Sequence, residues 1–331
     1  MLRPHEQYLA VGTYTSKGSH GIYLCAFDTL TGALRTIDST RQVNPSYLCW
    51  SIGRHELYAV TETEDATAAL TAYHFDEATG KLSLLNCVTG LGSAPCHLAT
   101  NGREIAVAEY GGGSLSRYAL QPDGSIGSLL SHKSYFAAPS HIHSSLYLPN
   151  GTLLVADLGN DCLYLQQGAT CDTLALEAGF GPRHFVFNRD FSRLYVIGEL
   201  SGRVAVLSHT GNDYRVMQYI ACDTTPGMGH KGSADIHLSR DGRFLYASNR
   251  LKNDGLAIFA VQQPSGLLAL CGYTPTGIHP RNFILSQSDR WLLVACRDSH
   301  CIECYERDAS TGGLTLRHSL RLPAPVCLQL Y

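Results

Sequence analysis

Charged side chains are scarce in this sequence, and several kinds of protein are excluded by what it lacks. Asp, Glu, Lys and Arg make up 16% of the 331 residues, against about 25% in an average soluble protein. The net charge of −3 gives no basic surface for nucleic acid or for an acidic membrane. No apolar stretch approaches the roughly 18 residues that a membrane-spanning helix needs. We therefore expect no nucleic-acid partner and no membrane partner.

We also expect no secretory leader, because residues 1–20 carry Arg3, His5 and Glu6 early and contain no long apolar core. The chain nevertheless has 12 cysteines, most of them inside apolar runs. Without a leader they are expected to be reduced, buried and small apolar residues, which indicates a cytoplasmic protein. Cys301 and Cys304 have C-x-x-C spacing, but they lie in a strand-like run with no second pair nearby. We predict neither a metal nor a cofactor.

What the sequence does contain is a long repeat. Seven apolar runs typical of β-strands begin 41 to 51 residues apart. Repeats of this length built from strands are the signature of β-propeller blades. The runs are Tyr8-Leu9-Ala10-Val11, Tyr58-Ala59-Val60, Ile105-Ala106-Val107-Ala108, Leu154-Val155-Ala156, Tyr195-Val196-Ile197, Tyr246-Ala247-Ser248 and Leu293-Val294-Ala295.

A second marker, rich in Pro and His, begins 10 to 13 residues before six of these runs. That spacing suits a two-strand hairpin, so we interpret each marker as the start of the innermost strand of a blade. Turns such as Asn150-Gly151 and Asp241-Gly242 follow, and they tolerate the backbone angles that tight hairpins require. The prediction is an all-β, seven-bladed propeller of four-stranded antiparallel blades. The markers begin at Pro45, Pro95, His141, Pro182, Asp235 and Pro280.

The two ends of the chain together supply one blade. Residues 325–331 have the inner-strand marker but no following strand, whereas the run at Tyr8 has no inner strand before it. We therefore predict that the C-terminal strand pairs with the N-terminal strand and closes the ring, which removes its open edge. Residues 1–331 are then one domain, and its stable folding is predicted to require residues 325–331.

Polar and charged residues are concentrated at the inner-strand markers of the middle blades. Inner strands of a propeller converge on its channel, so these side chains can meet around one small pocket. Burying several charged side chains together costs free energy unless they have partners. An anionic substrate would be such a partner. The residues are His141, His143, Arg183, His184, Asp235, His237 and Arg281, with Glu199 and Arg250 following two of the apolar runs.

These motifs resemble the seven-bladed propeller lactonase family, which includes propeller-type 6-phosphogluconolactonases and carboxy-cis,cis-muconate cyclases. The resemblance runs nearly end to end. The chain departs from the family at Gly198, where Asn usually precedes the Glu, and in an irregular insert at residues 222–233. Both departures bear on the identity of the substrate. The most specific matches are His141-Ile142-His143-Ser144, Gly181-Pro182-Arg183-His184, Glu199-Leu200, Ala234-Asp235-Ile236-His237, Ser248-Asn249-Arg250 and His279-Pro280-Arg281.

The resemblance implies a carboxylic ester hydrolase that opens a sugar-acid lactone. The first choice of reaction is 6-phosphogluconolactone to 6-phosphogluconate, in the pentose phosphate pathway. The expected partner is a small anionic lactone, and the protein is expected to be a monomer or a weak homodimer. The catalytic set implied by the family is His143, Arg183, Glu199 and Arg250. Residues expected to bind substrate are His141, His184, Asp235, His237 and Arg281.

Each group in the catalytic set has a chemical role. His143 takes the proton of water, and Arg183 donates hydrogen bonds to the developing oxyanion. Arg250, with Arg281, holds a phosphate or carboxylate through a bidentate contact. Glu199 either orients these groups or replaces His143 as the base, and the sequence leaves that choice open.

Other functions also stay open at this level. Within the enzyme class, the rival is a carboxy-muconate cyclase or another lactonising enzyme. Outside it, a non-catalytic propeller would bind sugar acids or protein partners. His141 and His143 are two residues apart on a strand and share a face, but no third metal ligand of obvious spacing accompanies them.

Overall fold

Strands make up almost all of the regular structure in a computed structural model of the chain, which describes residues 2–53, 55–135, 139–211, 213–225 and 231–331. The 28 strands of these segments form seven sheets, each of four antiparallel strands. In the same segments, no helix has the length and apolar character to cross a membrane. The seven sheets are the blades of the predicted all-β propeller, so the fold class is confirmed.

The chain divides into two compact units, and the first comprises Met1–Asp28, Leu34–Leu176 and Val326–Tyr331. A short 3-10 helix, Thr15–Lys17, lies between its first two strands. The strands are β1 (Glu6–Thr13), β2 (Gly21–Asp28), β3 (Leu34–Arg41), β4 (Leu48–Trp50), β5 (Glu56–Thr61), β6 (Ala69–Asp76), β7 (Lys81–Thr89), β8 (Pro95–Thr100), β9 (Glu104–Glu109), β10 (Ser114–Leu120), β11 (Ile126–Ser134), β12 (Ile142–Tyr147), β13 (Leu153–Asp157), β14 (Cys162–Gln167) and β15 (Thr170–Ala175).

The second unit comprises Thr29–Ala33 and Glu177–Pro325. Its three sheets each follow chain order, from inner to outer strand. The strands are β16 (Pro182–Phe187), β17 (Arg193–Gly198), β18 (Arg203–Thr210), β19 (Asp213–Ala221), β20 (Ile236–Leu238), β21 (Phe244–Asn249), β22 (Gly255–Val261), β23 (Leu268–Pro275), β24 (Pro280–Leu285), β25 (Trp291–Cys296), β26 (Cys301–Arg307) and β27 (Leu314–Arg321).

The last strand, β28 (Pro325–Leu330), belongs to the first sheet of the first unit. The order of that sheet is β28-β1-β2-β3. The backbone N–H of Tyr331 donates to the carbonyl of Tyr8 at 2.9 Å, and the Tyr331 ring packs against Trp50 and Phe75 at 5.1 and 5.0 Å between ring centroids. The predicted pairing of the terminal strands is therefore confirmed. The requirement for residues 325–331 in folding stays a prediction.

The seven apolar runs form the second strand of each sheet, which is buried on both faces. In β21 and β25 every residue is buried, whereas the outer strands β23 and β27 contain a single buried residue between them. Apolar side chains of neighbouring sheets pack together between the sheets, as Leu245 and Phe259 do with Val206 in the second unit. A strand covered on both faces needs a continuous apolar run, which explains why these runs stand out in the sequence.

Four of the inner strands carry one extra residue near their start. In β12 the register passes from Ile142 to Ser144 while its partner strand advances by one residue, so His143 is the extra residue. In β24 the extra residue is Arg281, and in β8 it is Cys96. In β16 the irregularity covers Arg183 and His184. Such a β-bulge bends the strand and redirects a side chain, and it often lies beside active sites.

The structure does not test the prediction of a single domain, and it describes only part of the insert at residues 222–233. The prediction of a single domain over residues 1–331 stays a prediction. Within the insert at residues 222–233, residues 226–230 lie outside the described residues, while Cys222, Gly232 and Ser233 at its ends are buried.

Candidate active site

Glu199 lies between two buried arginines in the second unit. One of its oxygens, Oε2, is 2.8 Å from Nε of Arg183 and 3.1 Å from Nη2 of Arg250. Arg183 and Arg250 are 2% and 4% exposed. Glu199 follows the end of β17, and its backbone is fixed because its N–H donates to Gly181 and its carbonyl accepts from Gly232. Three of the four predicted catalytic residues therefore meet at one point.

The surroundings of Glu199 are strongly cationic. Burial alone would raise the pKa of its carboxyl group, but the guanidinium groups of Arg250, Arg183 and Arg281 hold that pKa below its usual value. Glu199 is therefore ionised at neutral pH. Three guanidinium groups therefore act on this one carboxylate.

The backbone fixes both buried arginines as well. Nη1 of Arg183 donates to the carbonyl of Ala234. Nε of Arg250 donates to the carbonyl of Gly232 at 2.8 Å. Because each guanidinium is held by the backbone on one side and by Glu199 on the other, its position is set before any ligand arrives.

His279 is a member of this site that the sequence analysis did not assign. Its Nε2 accepts a hydrogen bond from Nη1 of Arg250 at 3.2 Å, and its Nδ1 faces Asp298 at 3.4 Å. Burial, then Arg250 and the other nearby arginines, lowers the pKa of His279 to about 2, so the ring is neutral. His279 has a φ of 62°, and Gly181, which precedes the corresponding Pro-Arg pair of an earlier blade, also has a positive φ. The alignment of these two His-Pro-Arg and Gly-Pro-Arg triplets was the signal available in the sequence.

A second polar group centres on Asp235, which is 2% exposed. Its Oδ1 accepts from Nδ1 of His184 at 2.8 Å, and its Oδ2 faces Nε2 of His237 at 3.2 Å. The side-chain amide of Asn282 donates to Oδ2 at 2.5 Å. The backbone N–H groups of Ile236 and Phe283 also donate to this carboxylate. Asp235 thus fixes the orientation of two histidines predicted from the sequence.

His184 connects this group to the arginine site. Burial, and next the charge of Arg183, lowers its pKa to about 4, so the ring is neutral at pH 7. Its Nδ1–H donates to Asp235, which leaves Nε2 as the acceptor facing Nη1 of Arg183 at 3.5 Å. Burial would raise the pKa of Asp235, but His237 and His184 hold it well below its usual value.

The two remaining predicted residues, His141 and His143, belong to the first unit. The His141 ring stacks on Tyr110 with centroids 4.4 Å apart, and the His143 ring meets the same Tyr110 edge-on at 5.6 Å. Nδ1 of His141 donates to the carbonyl of Tyr110 at 3.0 Å. Its backbone N–H donates to Asp157 at 2.9 Å. Strict strand alternation does not apply to this pair, because His141 precedes β12 and His143 is the bulge residue.

Comparison with known proteins identifies relatives of this chain along nearly its whole length. Residues 8–330 match the model of the family described as lactonase, 7-bladed β-propeller. A 6-phosphogluconolactonase of Formosa agariphila is 33% identical over 92% of this chain and 93% of that protein. The crystal structure of a putative 6-phosphogluconolactonase from Bacteroides fragilis is 37% identical, with a TM-score of 0.93 over 99% of this chain and 98% of that one. The periplasmic gluconolactonase of Pseudomonas aeruginosa is 29% identical, with a TM-score of 0.92 over 98% and 99%.

The fold and these relatives define a hydrolase of cyclic esters. The chain is a member of the seven-bladed β-propeller lactonase family, and the resemblance predicted from its motifs is confirmed. The roles of the individual site residues remain predictions.

Proposed function

We propose that this protein hydrolyses 6-phosphogluconolactone to 6-phosphogluconate. The observation that carries the proposal is that three guanidinium groups act on Glu199, beside the neutral rings of His184 and His279. Fixed guanidinium groups bind phosphate and carboxylate groups through bidentate hydrogen bonds, so this site suits an anionic ligand. A phosphorylated sugar lactone is such an anion.

The chemistry requires an attacking water and a stabilised oxyanion. The oxygen of water bonds to the lactone carbonyl carbon, the ring C–O bond breaks, and the ring oxygen leaves with a proton as a hydroxyl group. The product carboxylic acid then releases one proton at neutral pH. Fixed guanidinium donors stabilise the charge that develops on the carbonyl oxygen, since they need no reorganisation during the reaction.

His143 is proposed as the base that takes the proton of water. It occupies the bulge of β12, as Arg281 occupies the bulge of β24, so the two are at equivalent places in their blades. Glu199 is proposed as a positioning residue for Arg183 and Arg250. A carboxylate whose pKa is lowered by cations accepts a proton poorly, and this favours His143 over Glu199 as the base.

The proposed substrate also suggests a compartment and a pathway for the protein. All twelve cysteines are free thiols, which fits a reducing compartment. We propose a cytoplasmic enzyme of the pentose phosphate pathway that acts as a monomer or weak homodimer.

The test is acid release in weak buffer from 6-phosphogluconolactone and, separately, from the unphosphorylated gluconolactone. The spontaneous opening of each lactone is measured without protein and subtracted. His143→Ala is expected to lower turnover of the phosphorylated lactone by at least about 10²-fold, which is the usual effect of losing a general base. The thermal unfolding of the variant should stay close to that of the wild type.

The matched control is His97→Ala. His97 lies in the inner strand β8, one residue after the bulge, and its ring packs on Tyr47 at 4.1 Å. Its loss should leave turnover nearly unchanged. Full activity of His143→Ala would reject His143 as the base. Turnover of only the unphosphorylated lactone would reject the proposed substrate.

A further inference from the structure

The hairpin of β25 and β26 brings together three metal-ligating side chains outside the candidate active site. Cys296 ends β25 and Cys301 begins β26, and the two are direct partners across the strand pair. Glu303 lies two residues further along β26, and because side chains alternate along a strand it shares the face of Cys301. Cys304 points to the opposite face. The sulfur that accompanies Cys301 is therefore that of Cys296, and the C-x-x-C spacing is not the relevant one.

The distances among these groups fit one small cation. The thiol sulfurs of Cys296 and Cys301 and a carboxylate oxygen of Glu303 all lie within 4.8 Å of one another. Sγ of Cys296 is 3.5 Å from Oε2 of Glu303. Bond lengths of about 2.3 Å for Zn–S and 2.1 Å for Zn–O at tetrahedral angles place sulfur and oxygen about 3.6 Å apart. In the segments that the structure describes, this is the one group of three such ligands.

The carboxylate of Glu303 is held in position by neighbours that do not ligate. The backbone N–H of Gly277 donates to its Oε2 at 3.0 Å, and the hydroxyl of Tyr305 donates to the same atom at 2.7 Å. Such outer contacts orient the ligands of metal sites. A Cβ atom at residue 277 would lie 3.1 Å from Sγ of Cys296. Glycine at this position therefore leaves that sulfur its space.

The three side chains of this group are largely shielded from solvent. Cys296 is fully buried and Cys301 is 8% exposed, while Glu303 is half-buried and gives the group an opening to solvent. Two thiolates and a carboxylate select soft or borderline divalent ions over Mg²⁺ and Ca²⁺, which prefer oxygen.

We propose that Cys296, Cys301 and Glu303 form a binding site for a thiophilic divalent cation of the Zn²⁺ type, with water as the fourth ligand. Binding forms two metal–sulfur bonds and one metal–oxygen bond. The two thiol protons are released to solvent, and no electron is transferred. The site is independent of the proposed lactonase activity.

The test is a titration of the reduced full-length protein with Cd²⁺, a spectroscopic substitute for Zn²⁺, followed by the ultraviolet charge-transfer absorption of cadmium thiolate. We expect saturation at one ion per chain, competition by Zn²⁺ and pH-dependent proton release. X-ray absorption of the loaded wild type should show two sulfur neighbours and the rest oxygen. Absence of the absorption, or a different sulfur count, would overturn the proposal without any variant.

Variants locate the site. The double variant Cys296→Ser with Cys301→Ser should lose the absorption, and Glu303→Gln should weaken binding by at least about 10-fold. Cys304→Ala is the matched control, because it removes the other cysteine of the C-x-x-C spacing from the opposite face, and it should bind as the wild type does. Equal binding by the double variant, or lost binding by a folded Cys304→Ala protein, would contradict this assignment.

Discussion

At the scale of single residues, Glu199 and Glu306 make the same contacts in different surroundings. Each carboxylate faces two arginines, Arg183 and Arg250 for Glu199, and Arg290 and Arg317 for Glu306. The arginines beside Glu199 are buried, whereas those beside Glu306 are half or nearly half exposed. Water can solvate an arginine that has lost its carboxylate partner only where that arginine is exposed. The same substitution should therefore change the free energy of unfolding more at Glu199 than at Glu306.

We expect Glu199→Gln to lower the free energy of unfolding by about 3 kcal/mol, since it leaves two buried guanidinium groups without their counter-charge. Inorganic phosphate should recover part of this loss, because an anion that binds the native state stabilises it. Urea unfolding with and without phosphate measures both effects. Glu306→Gln is the control and should change little in either condition. An equal response of the two variants would show that the site does not bind anions.

Acid should destabilise the protein through His184. Its pKa is lowered to about 4 by burial and by Arg183, from 6.5 in the unfolded chain. Between these two pH values the unfolded chain binds a proton that the folded one does not, so stability is complete above pH 6.5 and falls as the pH approaches 4. The expected loss between pH 7 and pH 5 is about 2 kcal/mol from this residue, measured by urea unfolding at both values.

A variant separates His184 from other titrating groups. His279 acts in the same direction, because burial and Arg250 lower its pKa as well, and Asp235 adds a loss at lower pH. His184→Asn keeps a side-chain donor toward Asp235 but does not titrate. The difference in stability between pH 7 and pH 5 should shrink by about 2 kcal/mol in this variant. An unchanged difference would mean that His184 is already charged in the folded protein.

At the scale of elements, an aromatic side chain from the second strand of several sheets holds the outer turn of another sheet in the same unit. The hydroxyl of Tyr195 donates to the carbonyl of Gly266 at 2.9 Å, and that of Tyr246 donates to Gly312 at 2.8 Å. At the start of β25, two residues before the equivalent position, the indole N–H of Trp291 donates to the carbonyl of Thr29 at 2.8 Å. Side chains therefore connect sheets that share no backbone hydrogen bonds.

Two of these tyrosines differ in one respect, which gives a paired prediction. Nε of Arg307 donates to the hydroxyl of Tyr246 at 2.9 Å, and Tyr195 has no such charged donor among its described contacts. Tyr195→Phe should cost about 1 kcal/mol of unfolding free energy, and Tyr246→Phe about 2 to 3 kcal/mol, because a buried guanidinium N–H loses its acceptor. Urea unfolding of both variants measures the difference. Equal losses would show that Arg307 finds another acceptor.

The sequence predicted the starts of the strands well. It predicted the orientation of the side chains at the candidate site less well. Pro182 and Pro280 start inner strands as expected, because the apolar runs and turn residues record local preferences. The bulges at His143 and Arg281 depend on hydrogen-bond register between strands, which no local pattern reveals. His279 was not assigned, although it precedes a Pro-Arg pair as Gly181 does, because its contact with Arg250 arises only in the folded chain.

The cysteines show the same limit. The C-x-x-C spacing drew attention to Cys301 and Cys304, but strand alternation separates them onto opposite faces. The true neighbour of Cys301 is Cys296, five residues earlier and directly across the hairpin. A spacing that suits a metal site in a turn has a different meaning inside a strand.

At the scale of the whole molecule, the repeat made the fold predictable. Seven similar segments can be compared with one another, so weak signals in each segment support those in the rest. The candidate site could not be compared in this way, because equivalent places in the blades carry different residues there, such as Glu199 after β17 and Arg250 after β21. Family resemblance supplied the assignment of His143, Arg183, Glu199 and Arg250 that the repeat alone did not.

Removal of residues 325–331 is expected to prevent stable folding. The deletion removes β28, exposes the hydrogen-bonding edge of β1 and takes away the buried side chains of Val326, Cys327 and Leu328. The yield of soluble truncated protein and its thermal unfolding measure the effect, and a synthetic peptide of residues 325–331 should restore part of both. A soluble truncated protein with the melting profile of the wild type would contradict the prediction.

The partnership of β28 with β1 also sets the order of events during synthesis. Strands β2 to β27 lie between these two partners in the chain, so the edge of β1 waits for all of them to be translated before β28 can pair with it. At about 5–20 residues per second this wait lasts on the order of tens of seconds. Throughout that time β1 lacks its partner on one edge, and an unpaired strand edge can associate with other chains.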